Sequence, residues 1–376
     1  MKLIYLSNAR IPTEKAHGLQ TMKMGEAFAS CGLDVELVTP RRFNVIKENP
    51  FKYYDVEKKF KIIKLPCLDF IPLDFILGRI AFLIQTISFL ISAKIYLSFK
   101  KYDILYTREQ LTGLFFKDFV LEIHSLPHKI RFFHRRAWQR AKKLIVLTSF
   151  IKNSLIEIGI PENKILVAPD GVDLEKFDIE ISKKEARKKL NLPEDKILIG
   201  YIGMLKTLNM EKGINFAIGS LKFLDNRIVL VLVGGHNKDI EFYKKMVEEL
   251  QFKNKVLFIG QVPHKSVPMY LKAFDVLIAP FPEIDHYKFY MSPLKIFEYM
   301  TSERPIIISN LPAIREVLNE SNAILIKPGS PEKLAESINF TLKNPTFADR
   351  ISKQAHKDVR EYTWIKRAER ILKFIK

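Results

Sequence analysis

Short apolar runs alternate with helical patterns along the whole chain. In the first half, runs that suit buried strands fall at residues 2–7, 34–39, 104–106, 119–124 and 144–148, with a helical pattern at 19–30 and a long one at 75–99. In the second half they recur at 197–202, 228–233, 256–259, 276–279, 306–309 and 323–326, again with helical stretches between them. Strands separated by helices in this rhythm predict parallel sheets with right-handed crossovers, so the chain is expected to be α/β, with two doubly wound, Rossmann-like domains. The pattern lapses between Asp170 and Asp195, where D-G-V-D, K-K-E-A-R-K-K and N-L-P-E-D suit an exposed connection. The expected domains are therefore 1–180 and 190–354.

The first apolar burst, residues 3–6, stops at Ser7, too short for the apolar region of a secretory signal. It reads as the first buried strand. The stretch 75–99 is the most apolar, but Arg79 and Lys94 leave an uncharged run of only 80–93, short of the roughly 20 residues a bilayer span needs. A helix of the first domain is expected there. A second reading is docking on a membrane surface, flanked by the basic clusters at 58–64 and 134–143.

With 376 residues and 47% hydrophobic content, the chain can fill two cores. Cys31 and Cys67 stand far apart and supply neither a disulfide framework nor a zinc spacing, which suits a reducing compartment. A formal charge of +19 attracts anions over about one Debye length, roughly 8–10 Å. A nucleotide-sugar, an anionic membrane and nucleic acid all fit that field. No nucleic-acid module is recognisable, so nucleic acid is not the expected partner.

Candidate chemistry gathers in a few segments. Residues 291–316, M-S-P-L-K-I-F-E-Y-M-T-S-E-R-P-I-I-I-S-N-L-P-A-I-R-E, read as a loop opening a helix at Pro293 that buries Leu294, Phe297 and Met300. Free N–H groups and the positive dipole end at such a start suit a phosphate, and Glu298 would be held close by. Residues 203–213, G-M-L-K-T-L-N-M-E-K-G, follow a strand and open a helix, so backbone at Gly203 and the amines of Lys206 and Lys212 can approach a diphosphate. The alternative is that these are solvated loop lysines. Gly18, at the start of the 19–30 helix, permits close backbone approach to an anion. Arg10 and Lys15 in the preceding loop suit an acidic or phosphate-linked acceptor, and equally suit plain surface charge. His124 ends F-V-L-E-I-H at the carboxyl edge of a parallel strand, where α/β ligand sites collect, although a lone histidine is often structural. Arg108, with Tyr106 and Glu109, ends another strand in the same way.

S-P-L-K-I-F-E-Y-M, followed by P-I-I-I-S and I-R-E, resembles the donor-site segment of the family 4 retaining glycosyltransferases of GT-B fold. The resemblance implies two Rossmann-like domains facing a central cleft. It implies that Glu298 holds the ribose hydroxyls of a nucleotide-sugar, with Ser292, Pro293, Leu294, Lys295 and Gly203 around the donor. Tyr290 stands where a glutamate that contacts the sugar is often found. Lys212 resembles the lysine used on the donor phosphates, and Met204 replaces a frequent arginine, with Lys206 two residues on. E-I-H-S-L-P resembles the segment whose histidine, here His124, faces the reacting sugar, and the loop at Gly18 would serve phosphates and acceptor. V-A-P-D-G-V-D matches the segment leading out of the first domain, with Asp170 where asparagine is more frequent. The tail Y-T-W-I-K-R-A-E-R-I-L-K-F-I-K would cross back as an amphipathic helix anchored by Trp364, so that 355–376 returns to the first domain.

The expected function is retaining transfer of a sugar from a nucleotide-sugar to a glycan, lipid-linked or small-molecule acceptor by front-face substitution, with no metal or other cofactor. The expected place is the cytoplasm, on the inner face of an anionic membrane. Two other readings stand beside it: a nucleotide-sugar epimerase of the same fold, and a basic scaffold that binds nucleic acid or membranes without catalysis. The epimerase would need carboxylates near the sugar, which Tyr290 does not supply.

Overall fold

The structure is a computed structural model that describes residues 1–207 and 210–376. It divides into two compact units, Met1–Asp170 with Trp364–Lys376, and Gly171–Thr363.

In the first unit seven parallel strands form one sheet: β1 (Lys2–Leu6), β2 (Asp34–Pro40), β3 (Lys61–Leu65), β4 (Ile104–Thr107), β5 (Val120–Ile123), β6 (Lys143–Val146) and β7 (Ile165–Val167). Their order is β3-β2-β1-β4-β5-β6-β7, so the winding reverses between β1 and β4. The carboxyl ends of strands beside such a reversal are where open α/β sheets bind ligands. The central strands are buried along their length, Lys2 at the start of β1 excepted, as strands covered on both faces must be. β3 is an edge strand, and its K-I-I-K-L sequence reads as part of a basic cluster rather than as a strand. β7, at the opposite edge and only three residues long, is also missing from the expected set.

The second unit repeats the plan with β8 (Ile197–Ile202), β9 (Lys206–Thr207), β10 (Met210–Glu211), β11 (Ile228–Val233), β12 (Val256–Gly260), β13 (Val276–Ala279), β14 (Ile306–Ser309) and β15 (Ile324–Ile326). Its main sheet runs β12-β11-β8-β13-β14-β15, all parallel, and reverses between β8 and β13. β9 and β10 form a small antiparallel ladder inside the 203–213 loop. Leu208 and Asn209 of that segment lie outside the described residues.

The chain leaves the first unit after Asp170, ten residues before the expected boundary. The reason is packing: in the helix Lys183–Lys189, Arg187 donates to Asp275 Oδ2 (2.6 Å) and to the Ala273 carbonyl (2.8 Å), which fastens that segment to the second unit. The return comes at Trp364 rather than 355, because Ala355 and Val359 belong to the core of the second unit. The amphipathic tail forms the helix Trp364–Ile375, which packs on the helix Ala16–Ser30 of the first unit. Trp364 is buried at its start.

Candidate functional site

The reversal of the second sheet brings two loops together. After β8, Gly203 turns at φ +125° and donates its N–H to Val233 (2.8 Å), so the backbone runs tight against the end of β11. A Cβ at Gly203 would stand 3.2 Å from the Lys295 ammonium nitrogen. Lys295 itself comes from beyond β13, in the helix Leu294–Met300. That helix is fixed to the sheet by Tyr299, whose hydroxyl accepts the Ile202 N–H at 2.8 Å. Leu294 is only partly buried, contrary to expectation, whereas Lys295 through Met300 are all buried. With seven residues the helix makes about two turns, so little of the positive field at Pro293 comes from its dipole.

The charge comes instead from two lysines. Lys295 Nζ is buried 3.6 Å from the Tyr201 ring centroid and has no hydrogen-bond partner among the described residues. Burial pushes its pKa well below the ordinary value, and the neighbouring Lys212 ammonium pushes the same way. Lys212, partly buried just before Gly213, is lowered by burial to about 8 and has no ion-pair partner among the described residues. Its field also lowers His286, which is depressed chiefly by burial. Glu298 acts the other way on Lys295, but neither lysine is paired with a carboxylate among the described residues, so a doubly charged anion seated beside them would favour the charged form of both. Gly213, at φ +80°, leaves no room for a side chain because the Pro280 carbonyl occupies the Cβ position.

Glu298 is buried on the same helix, one turn beyond Lys295, and its Oε1 lies 2.9 Å from His264 Nε2. His264 lies just beyond the turn after β12, and no spacing in the sequence ties it to Glu298. The second carboxylate oxygen of Glu298 makes no hydrogen bond within the described residues. Tyr290 and Ser292 are partly buried, Tyr290 closing a five-residue π-turn, His286–Tyr290. Lys206 does not join the two lysines: its ammonium pairs with Glu211 at 3.5 Å across the β9–β10 ladder and sits 3.8 Å from the Phe242 ring centroid. The short ladder turns it away because Lys206 and Glu211 are cross-strand partners.

A second polar cluster lies at the carboxyl edge of the first sheet. Glu122, fully buried on β5, accepts from Gln20 (2.7 Å), His124 Nε2 (2.6 Å) and Arg367 (2.8 Å) with one oxygen, and from the Tyr106 hydroxyl with the other. Burial alone would raise its pKa, but Arg367 and His124 outweigh burial and hold it well below the carboxylate range. Burial, helped by Arg108, lowers His124 to about 4, so the ring is neutral at pH 7. A carboxylate only accepts, so the proton sits on Nε2 and Nδ1 is left as an acceptor. Arg108 donates to Gln20 Oε1 at 2.6 Å, in the same cluster. Tyr106 is fully buried and serves Glu122 rather than a ligand. Gln20, Glu122 and Arg367 carry no sequence signal, since each becomes informative only when 102 or 245 residues of separation collapse.

Arg10 stands apart from this cluster, paired with Glu14 at 2.8 Å. Gly18 is not at an open helix start: the helix begins at Ala16, and the space a Cβ would need is filled by the Tyr54 hydroxyl and the Thr13 methyl. Its small size serves that contact, in which the Thr13 N–H donates to Tyr54 at 2.6 Å. Among the described residues no group of His, Cys, Asp and Glu is placed to hold a metal ion.

Two family descriptions divide the chain. "Glycosyltransferase Family 4" matches residues 19–176, and "Glycosyl transferases group 1" matches residues 182–358. The chain belongs to the family 4 glycosyltransferases, a family of GT-B transferase enzymes. An uncharacterized glycosyltransferase of Methanocaldococcus jannaschii is 25% identical over 59% of this chain and 56% of its own length. The Escherichia coli UDP-Gal:α-D-GlcNAc-diphosphoundecaprenol α-1,3-galactosyltransferase is 26% identical over 61% of this chain and 63% of its own. The match thus spans less than two thirds of either relative. Anabaena HepE, solved in complex with UDP, shares the fold along 99% of both chains with a TM-score of 0.75 at 16% identity.

Proposed function

We propose that this protein transfers a glycosyl group from a nucleoside diphosphate sugar to a lipid-linked or glycan acceptor, with retention at the anomeric carbon. The observation that carries the reading is the pair of lysines Lys212 and Lys295: neither amine has a hydrogen-bonded or ion-paired partner among the described residues, Glu298 is the carboxylate whose charge bears on Lys295, and Lys295 stands beside Gly203 at the reversal of the second sheet. A diphosphate would supply the missing negative charge, and Glu298, held by His264, would take the ribose hydroxyls with its second oxygen. Ser292, Pro293 and Leu294 line the same loop, and Tyr290 is the candidate neighbour of the sugar.

In the proposed front-face step the bond from C1 to the diphosphate oxygen breaks as the acceptor oxygen bonds to C1 on the same face. The departing diphosphate takes the acceptor proton. Lys212 and Lys295 stabilise the charge that grows on the leaving group, which is where preorganised cations contribute most. No protein nucleophile is required. On the acceptor side, neutral His124 offers Nδ1 to a sugar hydroxyl and Arg108 offers its guanidinium to an anionic group. The relatives support the substrate classes: HepE was solved with UDP, and the Escherichia coli enzyme acts on a sugar linked to diphosphoundecaprenol. A cytoplasmic, membrane-peripheral place fits such an acceptor, and the chemistry as drawn calls for no metal.

The test is a screen of uridine, guanosine and adenosine diphosphates and their sugars by thermal shift, followed by transfer assays with the ligand that binds. The Lys212→Ala and Glu298→Ala variants are expected to lose both nucleotide-induced stabilisation and transfer. Full nucleotide binding and turnover in both variants would overturn the assignment.

A further inference from the structure

The helix Arg79–Ser98 is apolar on both faces: it buries Ala81, Phe89, Leu90, Ala93 and Leu97 inward and still presents apolar side chains outward. Its inner face holds Gln85 and Thr86, both fully buried, with Gln85 donating to Asn8 Oδ1 and Asn8 donating to Thr86 Oγ1, each at 2.9 Å. Its outer face presents Ile80, Leu83, Ile87, Ile91 and Ile95, which are 61%, 46%, 36%, 46% and 59% exposed. These positions recur every three or four residues and form one stripe along the helix. The inner face is already filled, so the outward isoleucines are surplus to the core, and a surface helix with nothing to cover it would carry polar residues at those positions. The loops beside it extend the apolar surface: Leu68 N–H donates to Ser88 Oγ (2.9 Å), Phe43 N–H donates to Asp69 (2.9 Å), and both side chains are more than half exposed.

Along the helix and just beyond it the charge has one sign, and Asp69 in the neighbouring loop is paired with Arg42. Between Asp74 and Asp103 no acidic residue occurs, and the charged residues are Arg79, Lys94, Lys100 and Lys101. A second copy of the chain would set two such basic rims face to face on molecules that each carry +19, which disfavours self-association. An anionic bilayer complements both the stripe and its rim. By length and composition the helix is able to span a bilayer, but its inner face is bonded through Asn8 to the loop after β1. That bonding suits a helix that lies along a surface as part of a folded unit rather than one that crosses a bilayer.

We infer that the outer face of the Arg79–Ser98 helix, with the loops carrying Phe43 and Leu68, is a docking surface for an anionic lipid bilayer. Asn8 lies beside the reversal of the first sheet, so docking brings the carboxyl edge of that sheet, with Arg10, to the headgroup layer. That consequence rests on the acceptor-side reading proposed above. The docking itself does not.

The full chain is tested by co-sedimentation with phosphatidylcholine vesicles and with vesicles that also contain phosphatidylglycerol, without any sugar donor. Binding is expected only to the anionic vesicles, weakening as salt rises. The variant Ile87→Glu/Ile91→Glu is expected to lose at least about tenfold in partitioning, while its melting temperature and nucleotide-induced shift stay as in the native chain. Ile87→Ser/Ile91→Ser, which adds no charge, is expected to fall between the two. Absence of native binding to anionic vesicles, or unchanged partitioning of both variants, would overturn the proposal. A concentration-dependent dimer abolished by the same substitutions would overturn it in favour of a second copy. Because no donor is present, failure of nucleotide binding leaves the vesicle result standing, and the reverse also holds.

Discussion

The Lys295 amine is buried over the Tyr201 ring without a hydrogen-bond partner among the described residues, so its charged form costs stability in the unliganded protein and contributes affinity once an anion is bound. Lys295→Met keeps the volume and removes the charge. The unliganded variant is expected to melt at or above the native temperature. Its nucleoside diphosphate affinity should fall by the worth of a charged hydrogen bond, about 1.5–3 kcal/mol, or roughly 10–100-fold, measured by calorimetry. A variant that melted lower and bound equally well would make Lys295 a packing residue. Lys212 gives a pH signature with two opposite signs. Its folded pKa is lowered to about 8 from 10.5, so above about pH 8 the free protein loses this cation and nucleotide affinity should decline. Between about 8 and 10.5 the unfolded chain holds the proton that the folded one has lost, so this group's contribution to unliganded stability rises with pH. Affinity that stays flat from pH 7 to the ordinary lysine range would remove Lys212 from the diphosphate. Lys212 was legible in the sequence from its place before Gly213, and Lys295 from the donor-site motif. The exclusion of Lys206 was not legible, because cross-strand pairing with Glu211 depends on a hairpin that no hydrophobic pattern announces.

Among the elements, the C-terminal helix links the most distant parts of the sequence. Its amphipathic pattern was legible, as was its return to the first unit by resemblance, but its partner was not. Arg367 donates to Glu122 (2.8 Å) and to the Pro169 carbonyl (2.9 Å), and so neutralises a carboxylate buried in the middle of the first sheet. Breaking a buried pair from one side costs about 3–5 kcal/mol, because the remaining charge is stranded. Arg367→Leu is therefore expected to lose that much in urea denaturation, and Arg367→Leu/Glu122→Gln should recover part of it. Equal stability of the single and double variants would mean that the pair is not coupled. The His124 tautomer depends on the same carboxylate, so Glu122→Gln should also raise KM for acceptor more than for donor. The short helix Leu294–Met300 teaches the complementary lesson: its start was legible from Pro293, but a two-turn helix contributes little dipole, and the charge is supplied by side chains the tertiary structure gathers.

For the whole molecule, the two tryptophans provide a test of how ligand binding is distributed. Trp138 and Trp364 both belong to the first unit, whereas the proposed donor site belongs to the second. Nucleoside diphosphate at about 100 times its Kd should stabilise the unit that binds it by about 2.7 kcal/mol. Calorimetry should show a transition that moves with nucleotide while the transition followed by tryptophan fluorescence stays in place. Equal movement of both signals would show that donor binding is energetically shared by the two units. At this scale the alternation of apolar strands and helices determined two parallel sheets, because strands covered on both faces must be apolar along their length. The motif around Glu298 pointed to a family, and the composition excluded a disulfide scaffold. Tertiary structure alone decided where the first unit ends, which cations stay unpaired, and which carboxylate holds His124, since those depend on contacts between residues far apart in the chain. It also decided the meaning of the 79–98 helix. Its composition says only that it is apolar, and which apolar residues face outward is set by the packing of Ala81, Phe89, Leu90, Ala93 and Leu97 together with the hydrogen bonds that Asn8 makes with Gln85 and Thr86 on the same face.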